Sequence, residues 1–277
     1  MSSEALREIQ FSAAPNIAQR FVAARLKGAA LPDYPGPIPP DLTSAYQCQD
    51  AAMALWPDEV AGWKIGRIPP AAEKTVGAQR LAGPIFRKDV LRAPPGTLVE
   101  FEVFVGGFAA VEAEFVFEVG HDAPAGKLAW SMDEAAALAG RMLVGIEAAG
   151  SPLKTINALG PAVVASDFGN NAGLILGPEV HGWRERPLAE LACETFIYGK
   201  SVGKGTADNI LGGPLASLRF VAELCARRGR PLKAGMLIST GAVTGIHDIA
   251  AGEGARAEFK GIGTIQCAAK PRAPRTP

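Results

Sequence analysis

The sequence predicts an α+β fold, and three observations carry that expectation. Two helical patterns open the chain, short β-type runs bounded by glycine and proline follow from Gly62 onward, and strands and helices do not alternate regularly. In chain order, Ala14 to Lys27 sets Ile17, Phe21, Val22 and Leu26 on one helical face. The proline-rich connector Leu31 to Pro40 leads to a second helix over Leu42 to Trp56, which Asp41 or Thr43 can cap. Gly62-Trp63-Lys64-Ile65-Gly66 reads as a strand, and Leu98 to Val105 and Phe108 to Val119 read as a hairpin closed by the two-residue turn Gly106-Gly107. Ser131 to Arg141 is alanine-rich and helical, with Ser131 or Asp133 at its start and Gly140 near its end. Strands follow at Met142 to Glu147, Ala172 to Leu176 and Leu191 to Ile197, then a helix from Pro214 to Arg227, then strands near Met236 to Ser239 and Ala255 to Phe259. The division expected is a helical part over 1–60, a β-rich domain over 61–269 and a basic, proline-rich disordered tail over 270–277.

Composition narrows the function. With 277 residues the chain buries a sizeable core, and a formal net charge of zero removes the electrostatic case for nucleic acid. Nowhere do 18 consecutive apolar residues occur, so no membrane span is expected, and a cytoplasmic location follows. Cys48, Cys193, Cys225 and Cys267 lie far apart without a Cys-x-x-Cys pair, which favours reduced, buried thiols over zinc or disulfides.

The chemistry-bearing feature is the run Val111-Glu112-Ala113-Glu114, with a third acid at Glu147. Residues two apart on a strand share a face, so Glu112 and Glu114 point the same way, and three carboxylates from two elements suit a hard divalent cation that keeps open positions for a chelating substrate. The hairpin register sets Glu112 opposite Phe101 and Glu114 opposite Val99, which puts two carboxylates on an apolar face. A one-residue slip crowds them instead against Glu100 and Glu102. A bound cation relieves either arrangement; a solvated glutamate face is the other reading.

Three patterns mislead. Gly199-Lys200-Ser201 and Gly203-Lys204-Gly205 look like phosphate-loop fragments, but Glu194 stands where the required first glycine belongs. His121, His181 and His247 follow no triad or metal spacing, and Arg227, Arg228 and Arg230 read as cations complementing a helix C-terminus.

Taken together, Gly62-Trp63-Lys64-Ile65-Gly66, Val111-Glu112-Ala113-Glu114, Gly145-Ile146-Glu147, Ser166-Asp167, Leu211-Gly212-Gly213-Pro214-Leu215-Ala216, Leu232-Lys233-Ala234-Gly235 and Thr240-Gly241-Ala242-Val243-Thr244 occur in a telling order. From about Gln47 to Gln266 the chain resembles the fumarylacetoacetase superfamily, in its 2-oxopent-4-enoate hydratase and 4-oxalocrotonate decarboxylase branch. The resemblance implies a mixed β-sheet roll of the fumarylacetoacetase C-terminal type behind an N-terminal helical part. It also implies Mg²⁺ or Mn²⁺ held by Glu112, Glu114 and Glu147, with Lys64 facing the substrate. The resemblance further implies a small 2-oxo or 2-hydroxydienoate acid from aromatic-compound degradation as substrate and a homo-oligomer, with complexing to a pathway enzyme left open. In this reading Lys64 supports the substrate carboxylate or shuttles a proton, Asp167 orients water or a ligand, and Thr240 and Thr244 hydrogen-bond the substrate. From the residues alone, Lys64 reads first as an exposed strand lysine, and Asp167, Thr240 and Thr244 are equally turn or strand-end residues.

Two departures bear on the reaction. Hydratases of the branch carry an acid in the loop after Gln79-Arg80-Leu81, where this chain reads Ala82-Gly83-Pro84-Ile85-Phe86, and Asp167-Phe168 stands where relatives often have Asp-Asn. A hydratase is therefore the first expectation and a 2-oxo acid decarboxylase the alternative, in which Arg67, Arg80 or Arg87 meets a second carboxylate. A catalytically altered partner subunit or a C–C bond hydrolase stands behind them. Arg67 to Pro84 and Gly120 to Gly126 are the expected lid segments.

Overall fold

The structure is a computed structural model that describes residues 11–275. Helix α1 (Ala14–Lys27) and helix α2 (Leu42–Leu55) pack on each other, and the Asp41 side chain caps α2 by accepting from the Ser44 amide at 2.7 Å. Strand β1 (Val60–Arg67), helix α3 (Pro70–Val76), strand β2 (Arg80–Phe86), strand β3 (Val90–Arg92) and strand β4 (Leu98–Val103) follow. Next come β5 (Phe108–Val119), α4 (Met132–Leu138), β6 (Ala139–Ser151), α5 (Pro161–Ser166) and β7 (Asn171–Glu179). The chain continues through β8 (Ala192–Ile197), β9 (Lys200–Thr206), α6 (Gly213–Arg227), β10 (Leu237–Ala242), β11 (His247–Asp248), β12 (Gly254–Phe259) and β13 (Gly263–Pro271).

The strands form two mixed sheets. The larger runs β2-β1-β10-β5-β6-β7-β3, with β11 also pairing β5, and the smaller runs β4-β13-β12-β8-β9. Parallel pairs β1/β10, β3/β7 and β4/β13 sit among antiparallel ones, which is the α+β arrangement expected. Phe115 and Phe117, both fully buried, pack from β5 against Phe259 and Trp183, joining the sheets through one core.

The glutamate hairpin is corrected. β4 and β5 do not pair: β4 lies beside β13 in the smaller sheet, and β5 lies between β10 and β6 in the larger one. Phe104, 2% exposed, is buried before the turn, and Gly107 has no room for a side chain because Ser151 O would lie 2.2 Å from a Cβ. The chain therefore changes sheets at Gly106-Gly107 rather than folding back on itself.

The tail is corrected as well. Lys270 and Pro271 extend β13, the Arg272 side chain is buried, and Arg275 contacts Asp89 and Glu102 at 2.6 and 3.1 Å, so order persists through Arg275. Residues 276 and 277 lie outside the described residues. The helix expected at Ser131 is shorter than read, because Ala139 already begins β6; its capping box of Ser131 and Glu134 is in place. All four cysteines are free and buried. Among the described residues no helix is long and apolar enough to cross a membrane.

Candidate metal centre

β5 and β6 are antiparallel neighbours with Glu112 directly opposite Glu147. Glu114 stands two residues along β5 on the same face, opposite Gly145. Like charges placed opposite each other on a ladder are unfavourable, and here they are also out of water: Glu112 is 8% exposed, Glu114 and Glu147 fully buried. One carboxylate oxygen from each of the three lies within 4.8 Å of the others.

The surroundings orient these acids without satisfying them. Between Ser239 and Ala242 the register of β10 against β5 shifts, and Gly241 takes a φ of 116° there, which a side chain would strain. The bulge aims the Gly241 amide at Glu114 Oε2 (2.8 Å), and Ser239 Oγ donates to the same oxygen (2.6 Å). On the other acid, Asn171 Nδ2 donates to Glu147 Oε1 at 2.9 Å, and Lys64 Nζ lies 3.2 Å from that oxygen. Glu114 Oε1 and Glu147 Oε2 are buried with no hydrogen-bond partner among the described residues. Two orphaned carboxylate oxygens beside a third acid form the donor set a hard cation takes, so the residues fit Mg²⁺ or Mn²⁺.

Electrostatics agree with a site built for a cation. Burial first, and the neighbouring Glu147 charge after it, push the Glu112 carboxyl up to about 7 against the pull of Lys64. Burial, then Glu147 and Glu112, lift Glu114 well above the usual carboxylate range, despite the two hydrogen bonds to its charged form. Burial alone would lower Lys64, but Glu147, Glu112 and Glu114 together outweigh it, and the ammonium holds its proton more tightly than an ordinary lysine.

A carboxyl raised above its ordinary 4.5 binds a proton in the folded protein that the unfolded chain has released, so folding stability is full below that value and falls as pH rises through about 7. His247, held below its ordinary 6.5 by burial, acts oppositely at lower pH, so the decisive window is above 6.5. Metal-free protein is expected to lose thermal stability between pH 6.5 and about 8, and saturating Mn²⁺ to flatten that slope. A metal-free melting temperature that holds or rises across this window in calorimetry contradicts the assignment.

The glutamates and Lys64 sit beside a cavity of about 510 Å³, whose lining includes Lys64, Glu112, Arg67, Arg80, Asn157 and Asn170. Its volume suits a small-molecule ligand. α3 supplies Ala72 to the rim, and Ile68 and Pro69 just before it join the lining, so the first expected lid segment borders the cavity. Gly120 to Gly126 does not; Ala123 bonds to Leu232 O and Asp122 to Lys233 and Ala234.

The remaining predicted site residues separate. Asp167 is buried away from the cavity lining, 2.5 Å from Arg25 Nε and accepting from Ser151 Oγ at 2.6 Å, so its charge is already paired. Thr240 reaches the cavity, but its hydroxyl donates to Phe115 O at 2.7 Å. Thr244 is outside the lining, bonded to Thr195 and His247. The segment 82–86 is not a loop: it is the buried part of β2, where a Cβ on Gly83 would stand 1.9 Å from Phe168 O, so no acid can occupy that position. Phe168 packs on Phe86 and Trp56, with ring centroids 4.9 and 5.7 Å away.

Arg25 and Asn171 escaped the sequence reading. Arg25, stacked near the Phe104 and Phe168 rings, donates to Asp167, to Asn171 O at 2.9 Å and to Gly150 O at 3.1 Å. Its signal was present: Ile17, Phe21 and Arg25 recur at i+4 on the buried face of α1. α1 thus fixes Asn171, whose side chain fixes Glu147. Asn171→Leu is expected to weaken Mn²⁺ binding about 10- to 100-fold, as loss of a ligand-orienting hydrogen bond does; unchanged affinity by titration calorimetry would assign Asn171 to packing alone.

No family model matches the chain. It is 27% identical over 235 residues to a 2-keto-4-pentenoate hydratase of Paraburkholderia phymatum, covering 82% of this chain and 85% of that one. A match to a 4-oxalocrotonate decarboxylase of Pseudomonas putida, at 28% identity, spans 37% of this chain and only 39% of the relative. Among solved structures, 4-oxalocrotonate decarboxylase from Pseudomonas putida G7, complexed with magnesium and adipate, superposes with a TM-score of 0.78 at 19% identity, covering 95% of this chain and all of that one. Fumarylpyruvate hydrolase from Pseudomonas aeruginosa, complexed with Mn²⁺ and pyruvate, gives 0.56 at 14% identity, covering 76% of this chain and 89% of that one. The superpositions establish a shared fold.

Proposed function

We infer that this chain, a relative of the 2-keto-4-pentenoate hydratases with the fumarylacetoacetase-type fold, is a divalent-metal-dependent lyase that adds water to a 2-hydroxy-2,4-dienoate or its 2-oxo tautomer. The observation that carries the reading is the buried cluster of Glu112, Glu114 and Glu147, with two partnerless oxygens, beside Lys64 at a ligand-sized cavity. Glu112, Glu114 and Glu147 would hold Mg²⁺ or Mn²⁺, which when bound supplies a Lewis acid for the chelating carboxylate and carbonyl oxygens of a 2-oxo acid.

The chain's own residues do the rest. Gly241 N–H and Ser239 fix one glutamate, and Asn171 fixes another, so the donor set is preorganised. Lys64, kept protonated by three carboxylates, is a cation at the point where enolate charge develops, and its proton is available to the substrate when the dienol becomes the enone that accepts water. Asp167, paired with Arg25, has no part in positioning that water. Apolar walls including Ile65, Leu81 and Val164 limit bulk water around the reacting carbons.

Decarboxylation of a 2-oxo acid is the second reading, favoured by the absence of a carboxylate from the interior of β2. The same electron sink accepts the pair left by departing CO₂, and no water-orienting acid is needed. The likeness to hydratases also supports a role in aromatic-compound degradation, and the same reading takes the protein to be a cytoplasmic homo-oligomer.

The test is calorimetry of metal-stripped protein with Mn²⁺, with and without oxalate as a mimic of the 2-oxo acid head, followed by product analysis with a dienoate. Oxalate binding that requires metal, and a hydroxylated 2-oxo acid product, are expected. CO₂ release without hydration moves the assignment to decarboxylase. Failure of both Mn²⁺ and oxalate to bind removes the enzyme reading.

A further inference from the structure

One wall of the cavity is built on strained backbone. Phe168, Gly169 and Asn170, between α5 and β7, have φ of 52°, 62° and 61°, three left-handed residues in succession. Only glycine enters that region freely, and such strain persists where the surroundings over-determine it. Here they do: Asn170 N–H donates to Asp167 O at 2.9 Å, and Arg25 donates to Asp167 O at 3.2 Å and to Asn171 O at 2.9 Å. On the other side, Gly83 lets the Phe168 carbonyl and Gly169 lie directly against β2. Gly83 is also the ladder partner of Lys64, and Asn171, next along the chain, holds Glu147. The turn therefore packs at the corner of the cavity where Lys64 and Glu147 meet.

Asn170 lines the cavity and is 3% exposed. Its Nδ2 donates to Asn157 Oδ1 at 3.1 Å, but its Oδ1 is buried with no hydrogen-bond partner among the described residues. Other uncharged polar side chains of the lining are engaged: Asn209 donates to Val243 O at 2.9 Å, Ser217 to Thr240 O at 2.7 Å and Thr240 to Phe115 O at 2.7 Å. A buried acceptor without a donor is costly, so it marks where a donor of the ligand belongs. The chelating oxygens of a 2-oxo acid only accept, which leaves an O–H as the donor. A hydroxyl both donates and accepts, so it matches the Asn170 amide whichever way round that amide is turned.

We propose that Asn170 binds and orients the water that adds to the enone, and then holds the hydroxyl that this water becomes on C4 of a 4-hydroxy-2-oxo acid. In that step the water oxygen bonds to C4, the π pair of the C3–C4 bond moves into the carbonyl, and the proton lost from the water is returned at C3 on ketonisation, so no further reactant is consumed. The proposal rests on the placement of the 2-oxo head at the glutamate site given above. It supplies the water-binding group that neither Asp167, paired with Arg25, nor the buried part of β2 provides.

The experiment compares 4-hydroxy-2-oxopentanoate with 2-oxopentanoate, which lacks only the hydroxyl, by calorimetry on the Mn²⁺-loaded full chain. The hydroxy acid is expected to bind about five- to tenfold tighter, the worth of one well-placed hydrogen bond. Asn170→Gly keeps the left-handed backbone without strain and keeps Asn171 on Glu147. It should bring the hydroxy acid down to the affinity of 2-oxopentanoate while leaving the latter, and Mn²⁺ itself, unchanged. Asn157→Ala, which removes only the partner of Asn170 Nδ2, should keep the preference for the hydroxyl. Equal affinities in the unaltered protein, a preference that survives Asn170→Gly, or one lost as fully in Asn157→Ala overturn the proposal but spare the metal site. Weaker Mn²⁺ binding in Asn170→Gly also overturns it, by making Asn170 a support of the turn alone. Binding of neither acid while oxalate still binds with metal does the same, and loss of oxalate binding too brings down both readings.

Discussion

Glu114→Gln is expected to abolish Mn²⁺ binding, and turnover with it, while making the metal-free protein more stable. The two effects have one cause. Glu114 is fully buried, holds one oxygen on Gly241 N–H and Ser239 Oγ and leaves the other without any partner. In the absence of a cation the buried acid must either hold a proton that the unfolded chain releases or carry a charge beside Glu112 and Glu147, and a neutral amide of the same shape removes that cost. With a cation the same charge is a ligand, and replacing it removes one of three anionic donors; the loss should exceed the 10- to 100-fold typical of outer-shell changes. Calorimetric titration with Mn²⁺ and melting curves at about pH 8 read the two arms. A variant that keeps full Mn²⁺ affinity would remove the central assignment, and one that is destabilised without metal would show that the amide cannot replace the acid in this pocket.

Lys64→Met is expected to give the other large effect, with opposite sign on stability. The side chain is buried 3.2 Å from Glu147 and is the one cation that the three acids share among the described cavity residues near them. Removing it leaves three carboxylates without a counter-charge, so metal-free protein should lose about 3–5 kcal/mol, or take up protons to compensate. Mn²⁺ should restore much of that stability, since it supplies positive charge at the same place. Activity should not return: loss of a positioned proton donor lowers turnover by about 10²- to 10⁴-fold. Stability and activity thus separate in one variant, and a Lys64→Met protein with near-normal turnover would make Lys64 a structural counter-ion only.

The acids were legible because strand alternation is a local property. Glu112 and Glu114 share a face wherever β5 pairs, and the glycine-flanked Lys64 lies on a strand as read. The partner strand was not legible. Gly106-Gly107 carries hairpin chemistry, yet the chain crosses there from one sheet to the other, and the acid opposite Glu112 is Glu147 rather than a residue of β4. Thr244 and Asp167 shared motifs with residues that line the cavity or stand beside it but point into other networks, Thr244 to Thr195 and Asp167 to Arg25. Motif proximity along the chain did not distinguish them, because hydroxyl and carboxylate groups take whichever buried partner the packing presents.

By itself, the sequence determined the α+β class, most element positions from α1 to β12, two of the three acids that the fold clusters on one face and the buried state of the thiols, since periodicity, capping and residue chemistry act over a few positions. The tertiary structure alone decided that Glu147 faces Glu112, that Arg25 on the first helix steadies Asn171, that Gly83 admits no acid and that Arg67 and Arg80 meet at the cavity. Each of these is a contact between strands or helices distant in sequence. Sheet order and close packing select such contacts only once the whole core is assembled.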